Sequence, residues 1–100
     1  MSFTKWDYEF DGSHSDPFLL REAAGVYVVW CEVEGVWTVL DVGESDNVVN
    51  RIRNHDRADC WARNCSGKIN YAAAYISDPI ERRDLEYRIR SLKRVACGEE

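Results

Sequence analysis

Residues 25–44 read GVYVVWCEVEGVWTVLDVGE, and this stretch decides the fold. Gly25–Val33 is rich in Val, Tyr and Trp, the composition of a strand, and Glu34-Gly35 marks a turn into a return strand over residues 36–42. Alternation places Tyr27, Val29, Cys31 and Val33 on one face of the hairpin and Val26, Val28 and Trp30 on the other. Both faces are apolar, so helices must cover the hairpin on both sides. That requirement points to an α/β or α+β architecture.

Toward the N-terminus, Trp6, Tyr8 and Phe10 alternate with acids, which predicts a short edge strand followed by the loop Gly12-Ser13-His14-Ser15-Asp16-Pro17. Toward the C-terminus, Gly43 breaks the strand, and Ser45 is placed to cap a helix that opens with Asp46-Asn47. Val48, Val49, Ile52 and His55 follow at helical spacing. A second short helix is predicted around residues 59–64, and residues 68–76 (KINYAAAYI) read as a third strand. Asp78-Pro79 opens the last helix with a capping carboxylate and a proline at the first helical position. Leu85, Ile89, Leu92 and Ala96 then form one buried stripe. The expected architecture is a small central three-stranded sheet with an N-terminal β-hairpin, flanked by helices. It forms one domain over residues 1–100, with its core at about 24–97 and an extension at 1–23.

Composition narrows the class. The chain has 100 residues, 45% of them hydrophobic, which is globular rather than disordered. The longest apolar run, residues 26–31, is far short of the roughly 20 that a membrane-spanning helix needs. Lys5, Asp7, Glu9, Asp11 and Asp16 break up the first twenty residues, so no signal peptide and no membrane association are expected, and the location is expected to be cytoplasmic. Cys31, Cys60, Cys65 and Cys97 are then expected as reduced thiols, core or half-buried. His55, Cys60 and Cys65 form H-x4-C-x4-C, but structural zinc sites repeat a closely spaced ligand pair and only one such pair is present, so no zinc is expected. The net charge of -5 conceals an asymmetry: residues 1–50 carry -8 and residues 51–94 carry +5. Such a split permits either one basic face for a polyanion or ordinary solvated arginines.

Two helical constellations carry chemistry. Arg51 and His55 are four apart and project from one helical face, while Glu86 sits beside the core residue Leu85 at the boundary with solvent. The order Gly25-Val26-Tyr27, Asp41-Val42-Gly43-Glu44-Ser45, Arg51, His55, Glu86 resembles the GIY-YIG nuclease family, in particular its small single-domain bacterial-type members. GVY stands for the first half of the family signature and DVG for the second, with Asp41 in place of the usual tyrosine. GESDNVVNRIRNH is similar to the segment that leads a glycine into a helix carrying the arginine and histidine, and RDLEYRIRSL to the closing helix. Cys60-Trp61 also matches a feature of the small bacterial members.

The resemblance implies a metal-dependent endonuclease that hydrolyses DNA phosphodiester bonds. Tyr27 would orient or deprotonate the attacking water, Arg51 would neutralise phosphoryl charge, and His55 would assist proton transfer or hold the phosphate. Glu86 would hold a single Mg²⁺ or Mn²⁺, and Asp41 would be a site position of undecided role. These residue types suit the reaction: a guanidinium matches phosphate in a bidentate way, and a hard oxygen ligand suits Mg²⁺. Arg53, Arg57, Arg82, Arg83 and Arg90 would contact phosphates, giving weak, salt-dependent DNA binding, with specificity left to the core or to a partner protein. The alternative is a catalytically inactive module of the same fold that binds nucleic acid or protein; Asp41 and the acidic first half favour it. Geometry adds a condition. A regular hairpin with a two-residue turn would set Asp41 opposite Val28, on the far side from Tyr27, so a shared site requires an odd-length loop or a β-bulge.

Overall fold

Glu34 and Gly35 both adopt positive φ (50° and 83°), as a two-residue type I′ turn demands. They join β3 (Gly25–Val33) to β4 (Val36–Ser45), with Val33 opposite Val36. The structure, a computed structural model, describes residues 1–98. Between Val29 and Trp30 the register shifts, because Leu40 is an extra residue on β4; Val29 consequently faces Asp41 and Tyr27 faces Gly43. The required bulge is present, and it brings Tyr27 and Asp41 to one face. Gly43 does not end the strand as expected. It lies within β4, directly beneath the Tyr27 ring.

The sheet is larger than the three strands expected. Trp6 and Asp7, also at positive φ (53° and 68°), turn β1 (Ser2–Lys5) into β2 (Tyr8–His14), so residues 2–14 form a second hairpin instead of one edge strand and a loop. This hairpin pairs with β5 (Lys68–Tyr75), which in turn pairs with β3. Among the described residues the fold is α+β, with a five-stranded antiparallel sheet in the order β1-β2-β5-β3-β4 and three α-helices.

The helices are α1 (Val48–Arg53), α2 (Ala58–Arg63) and α3 (Pro79–Leu92). Asp78 caps α3 as expected, accepting the Ile80 amide at 3.0 Å. Asn47 rather than Ser45 caps α1, accepting the Asn50 amide at 3.1 Å. The stripe on α3 is shorter than expected. Leu85 and Ile89 are buried, but the chain turns extended at Lys93 and leaves Leu92 and Ala96 exposed, while Arg82 takes an inward position. α3 packs with Val26, Val28, Val42 and Phe10 on one side of the sheet. α1 and Trp61 of α2 pack with Tyr27, Val29 and Leu40 on the other. Helices therefore cover both faces of the hairpin, as its apolar alternation requires.

The cysteines overturn the expectation of reduced thiols. Cys31 is bonded to Cys65 and Cys60 to Cys97. Their separation in sequence, 34 and 37 residues, hides what the fold does, which is to bring each pair to Cα distances of 5.5 and 6.0 Å, within bridging range. The second bond ties the segment after α3 to α2. That segment covers part of the free edge of β4, with the Cys97 amide donating to the Leu40 carbonyl at 2.7 Å. No helix among the described residues is long and apolar enough to cross a membrane. Replacing Cys60 and Cys97 by serine is expected to lower stability by about 3–4 kcal/mol, the chain-entropy cost of opening a loop of this length. Chemical denaturation of wild type and variant without reductant would measure the difference.

Candidate active site

Tyr27 is the first residue to place. Its row of the sheet runs across Ala73 and Gly43, both too small to obstruct a ring lying over the strands. A Cβ on Gly43 would fall against the Tyr27 hydroxyl and ring carbons, so the glycine is what admits the tyrosine. From here the hydroxyl reaches His55 Nε2 at 2.7 Å. The other ring nitrogen, Nδ1, accepts the Arg57 backbone N–H at 3.1 Å. That bond fixes the tautomer: Nε2 carries the proton and donates it to the Tyr27 oxygen, leaving the phenolic proton available to another acceptor.

Burial and charge set both titrations. Burial pushes the Tyr27 hydroxyl up to about 12, with the Asp41 charge adding to it and Arg51 and Arg57 opposing it. Burial, then the charges of Arg51 and Arg57, lower His55 to about 4, against the pull of Asp41 and Asp56. At neutral pH Tyr27 is a protonated donor and His55 a neutral one. His55's side chain is fully buried, with its two ring nitrogens engaged by the Tyr27 hydroxyl and the Arg57 amide.

Asp41 is close by but closed off. Its carboxylate is wholly buried and accepts five hydrogen bonds from four residues. Arg57 donates through Nε at 2.9 Å and a terminal nitrogen at 3.3 Å, Trp61 Nε1 at 2.8 Å, Arg90 at 3.0 Å and the Val42 amide at 2.8 Å. A carboxylate offers about four lone-pair sites, so none remains for a metal or a water proton. Asp41, grouped with the catalytic positions from the sequence but left without a decided role, holds Arg57, Trp61 and Arg90 in place. Trp61 and the inward use of Arg57 are what sequence reasoning missed. The signal was available, since a buried strand aspartate must find donors.

Arg51, partly exposed, is held among the described residues by the exposed Asp56 alone, at 3.3 Å. Glu86 lies half-buried on α3, with Oε2 accepting from Arg90 Nε at 3.3 Å. Burial raises its carboxyl above the usual range, the Arg90 hydrogen bond and charge pulling the other way. The charges of Arg51 and Glu86 both act on the Tyr27 hydroxyl, Arg51 lowering and Glu86 raising its titration, and His55 is hydrogen-bonded to it.

Three of the five other expected phosphate contacts are consumed internally. Arg57 and Arg90 serve Asp41, and Arg82 is buried on Glu44 at 2.8 Å and on the Ile76 and Ser77 carbonyls. Arg53 stacks over the Phe18 ring at 4.5 Å, and Arg83 is exposed. Groups of three or more His, Cys, Asp or Glu side chains able to hold a metal do not occur among the described residues. Comparison with family models, with curated proteins and with solved structures finds no match.

Two outcomes follow from this geometry. Gly43→Ala is expected to cost about 1–3 kcal/mol by overpacking against Tyr27, read by urea denaturation. His55 stays neutral in the folded protein down to about pH 4 but charges in the unfolded chain below about 6.5. Its contribution to stability is therefore fully present above pH 6.5 and declines toward pH 4, by up to about 3 kcal/mol. Denaturation at pH 7, 5.5 and 4 should show the decline in wild type and less of it in His55→Gln. Glu86 works in the opposite direction and cancels in that difference.

Proposed function

We propose that the chain is a metal-dependent endonuclease of the GIY-YIG type, hydrolysing phosphodiester bonds in DNA. The observation that carries the reading is the hydrogen bond between the buried Tyr27 hydroxyl and His55 Nε2, with Arg51 and Glu86 near enough for their charges to act on that hydroxyl. Arg51 is weakly tethered and can turn its guanidinium onto the phosphoryl oxygens, where charge builds in the transition state. Tyr27 keeps its proton at neutral pH, so it orients the attacking water or a phosphoryl oxygen and does not take the water's proton.

Glu86 fits the group that the reaction needs. It is a hard carboxylate, raised by burial, with Oε2 bonded to Arg90 and Oε1 left over. One carboxylate is a sparse protein ligand set, yet Mg²⁺ is commonly held by one or two carboxylates together with water and substrate phosphates. A bound Mg²⁺ or Mn²⁺ supplies Lewis-acid stabilisation of the phosphoryl oxygens and acidifies the water it holds. The reading of a cytoplasmic protein goes with this function on one condition: Cys31–Cys65 and Cys60–Cys97 must resist thiol exchange there.

One observation favours the second reading, a binding module without turnover. Tyr27 is only 1% exposed, so a phosphodiester reaches its hydroxyl only if the side chains above it give way. Incubation with supercoiled plasmid and branched or single-stranded oligonucleotides in Mg²⁺ or Mn²⁺ at low salt separates the two. Nicking is expected from wild type, reduced at least about a hundredfold in both Glu86→Ala and Arg51→Ala. Nucleic-acid affinity without cleavage, unchanged by Glu86→Ala, would establish the binding module instead.

A further inference from the structure

Arg90 belongs to two surfaces. One side of its guanidinium closes the Asp41 cluster and touches Glu86; the other lines an open groove of about 730 Å³ that runs past the end of α3. Lys93 and Arg94 stand along this groove, with Asn64 at the end of α2 and Gly98 across from them. Both Lys93 and Arg94 are exposed, and neither forms an ion pair among the described residues. The described lining thus holds three basic side chains and no acidic one, on a chain whose net charge is -5. A second groove, of about 560 Å³ beside β2, shows the contrast: Glu9 and Asp11 there face Arg21.

We propose that the groove at the end of α3 receives the sugar-phosphate backbone of the nucleic-acid strand flanking the scissile bond, with Lys93 and Arg94 on its phosphates. The inference rests on the nuclease reading of the adjoining site and extends it. Its logic is electrostatic. Arg90 is paired with Asp41 and Glu86, but the carbonyl end of α3 contributes only about half a negative charge against the two full positive charges of Lys93 and Arg94. An acidic protein partner would need an apolar anchor to bind with useful affinity, and the lining offers little beyond Val95. A phosphodiester strand needs only the charge, and its counterions are released on binding.

The test is fluorescence anisotropy with labelled single-stranded and duplex DNA across a salt series, without divalent metal. The proteins are wild type, Lys93→Glu/Arg94→Glu, and a control with the same charge change at Lys5→Glu/Lys68→Glu. The groove variant is expected to lose at least about tenfold in affinity and to flatten the slope of log K against log salt by close to two, since each lost phosphate contact removes about 0.7–0.9. The control should keep most of both. Equal losses in the two variants, or none in the groove variant, would overturn the groove while leaving a wild-type enzyme that still cleaves. A wild type that neither binds nor cleaves any substrate would overturn the nuclease reading, and the groove with it.

Discussion

A buried carboxylate governs this structure. Asp41 lies on an edge strand, wholly out of water, and an uncompensated charge there would cost several kcal/mol. The chain answers by bringing four donors from three places: the next amide of β4, the segment around α2 and the far end of α3. Each donor carries something else with it. The Arg57 backbone sets the His55 tautomer and so the Tyr27 hydroxyl, and Arg90 holds Glu86. The site is thereby assembled around a residue that takes no part in it.

That arrangement explains why a basic half of the sequence gives a poor guide to where an anion would bind. Arg57, Arg82 and Arg90 are spent on Asp41, Glu44 and backbone carbonyls, and their charges are neutralised inside the fold. Arg51, Lys93 and Arg94 remain more available because they sit at helix ends or beyond, where no strand passes close enough to claim them.

Local chemistry made much of the fold legible. Two apolar faces on residues 25–33 required helices on both sides, and Asp78-Pro79 marked the start of α3. A shared face for Tyr27 and Asp41 required an odd-length loop or a bulge, and of the two the chain uses a bulge at Leu40. What could not be read depended on distance in the chain. Trp6 adopts a left-handed backbone angle that a bulky residue does not favour, so the first hairpin was hidden. The disulfides join residues more than thirty apart, and no spacing rule pairs them. The stripe through Leu92 failed because helical periodicity does not announce where a helix without a glycine cap will stop. Of the candidate site, Tyr27 and His55 are hydrogen-bonded, while Asp41's role was opaque until its partners were seen.

The strip of chain laid against β4 has a consequence for how the molecule meets copies of itself. An uncovered strand edge is a row of unpaired donors and acceptors that another chain can extend, and β4 is ten residues long and apolar through much of its length. The Cys97 amide and the Arg90 guanidinium occupy the carbonyls of Leu40 and Val42, and the Cys60–Cys97 bond keeps that strip from lifting away. One sulfur–sulfur bond therefore guards an edge as well as a shape: a thiol that opens it frees the strip, and β4 becomes a template for another chain's strand.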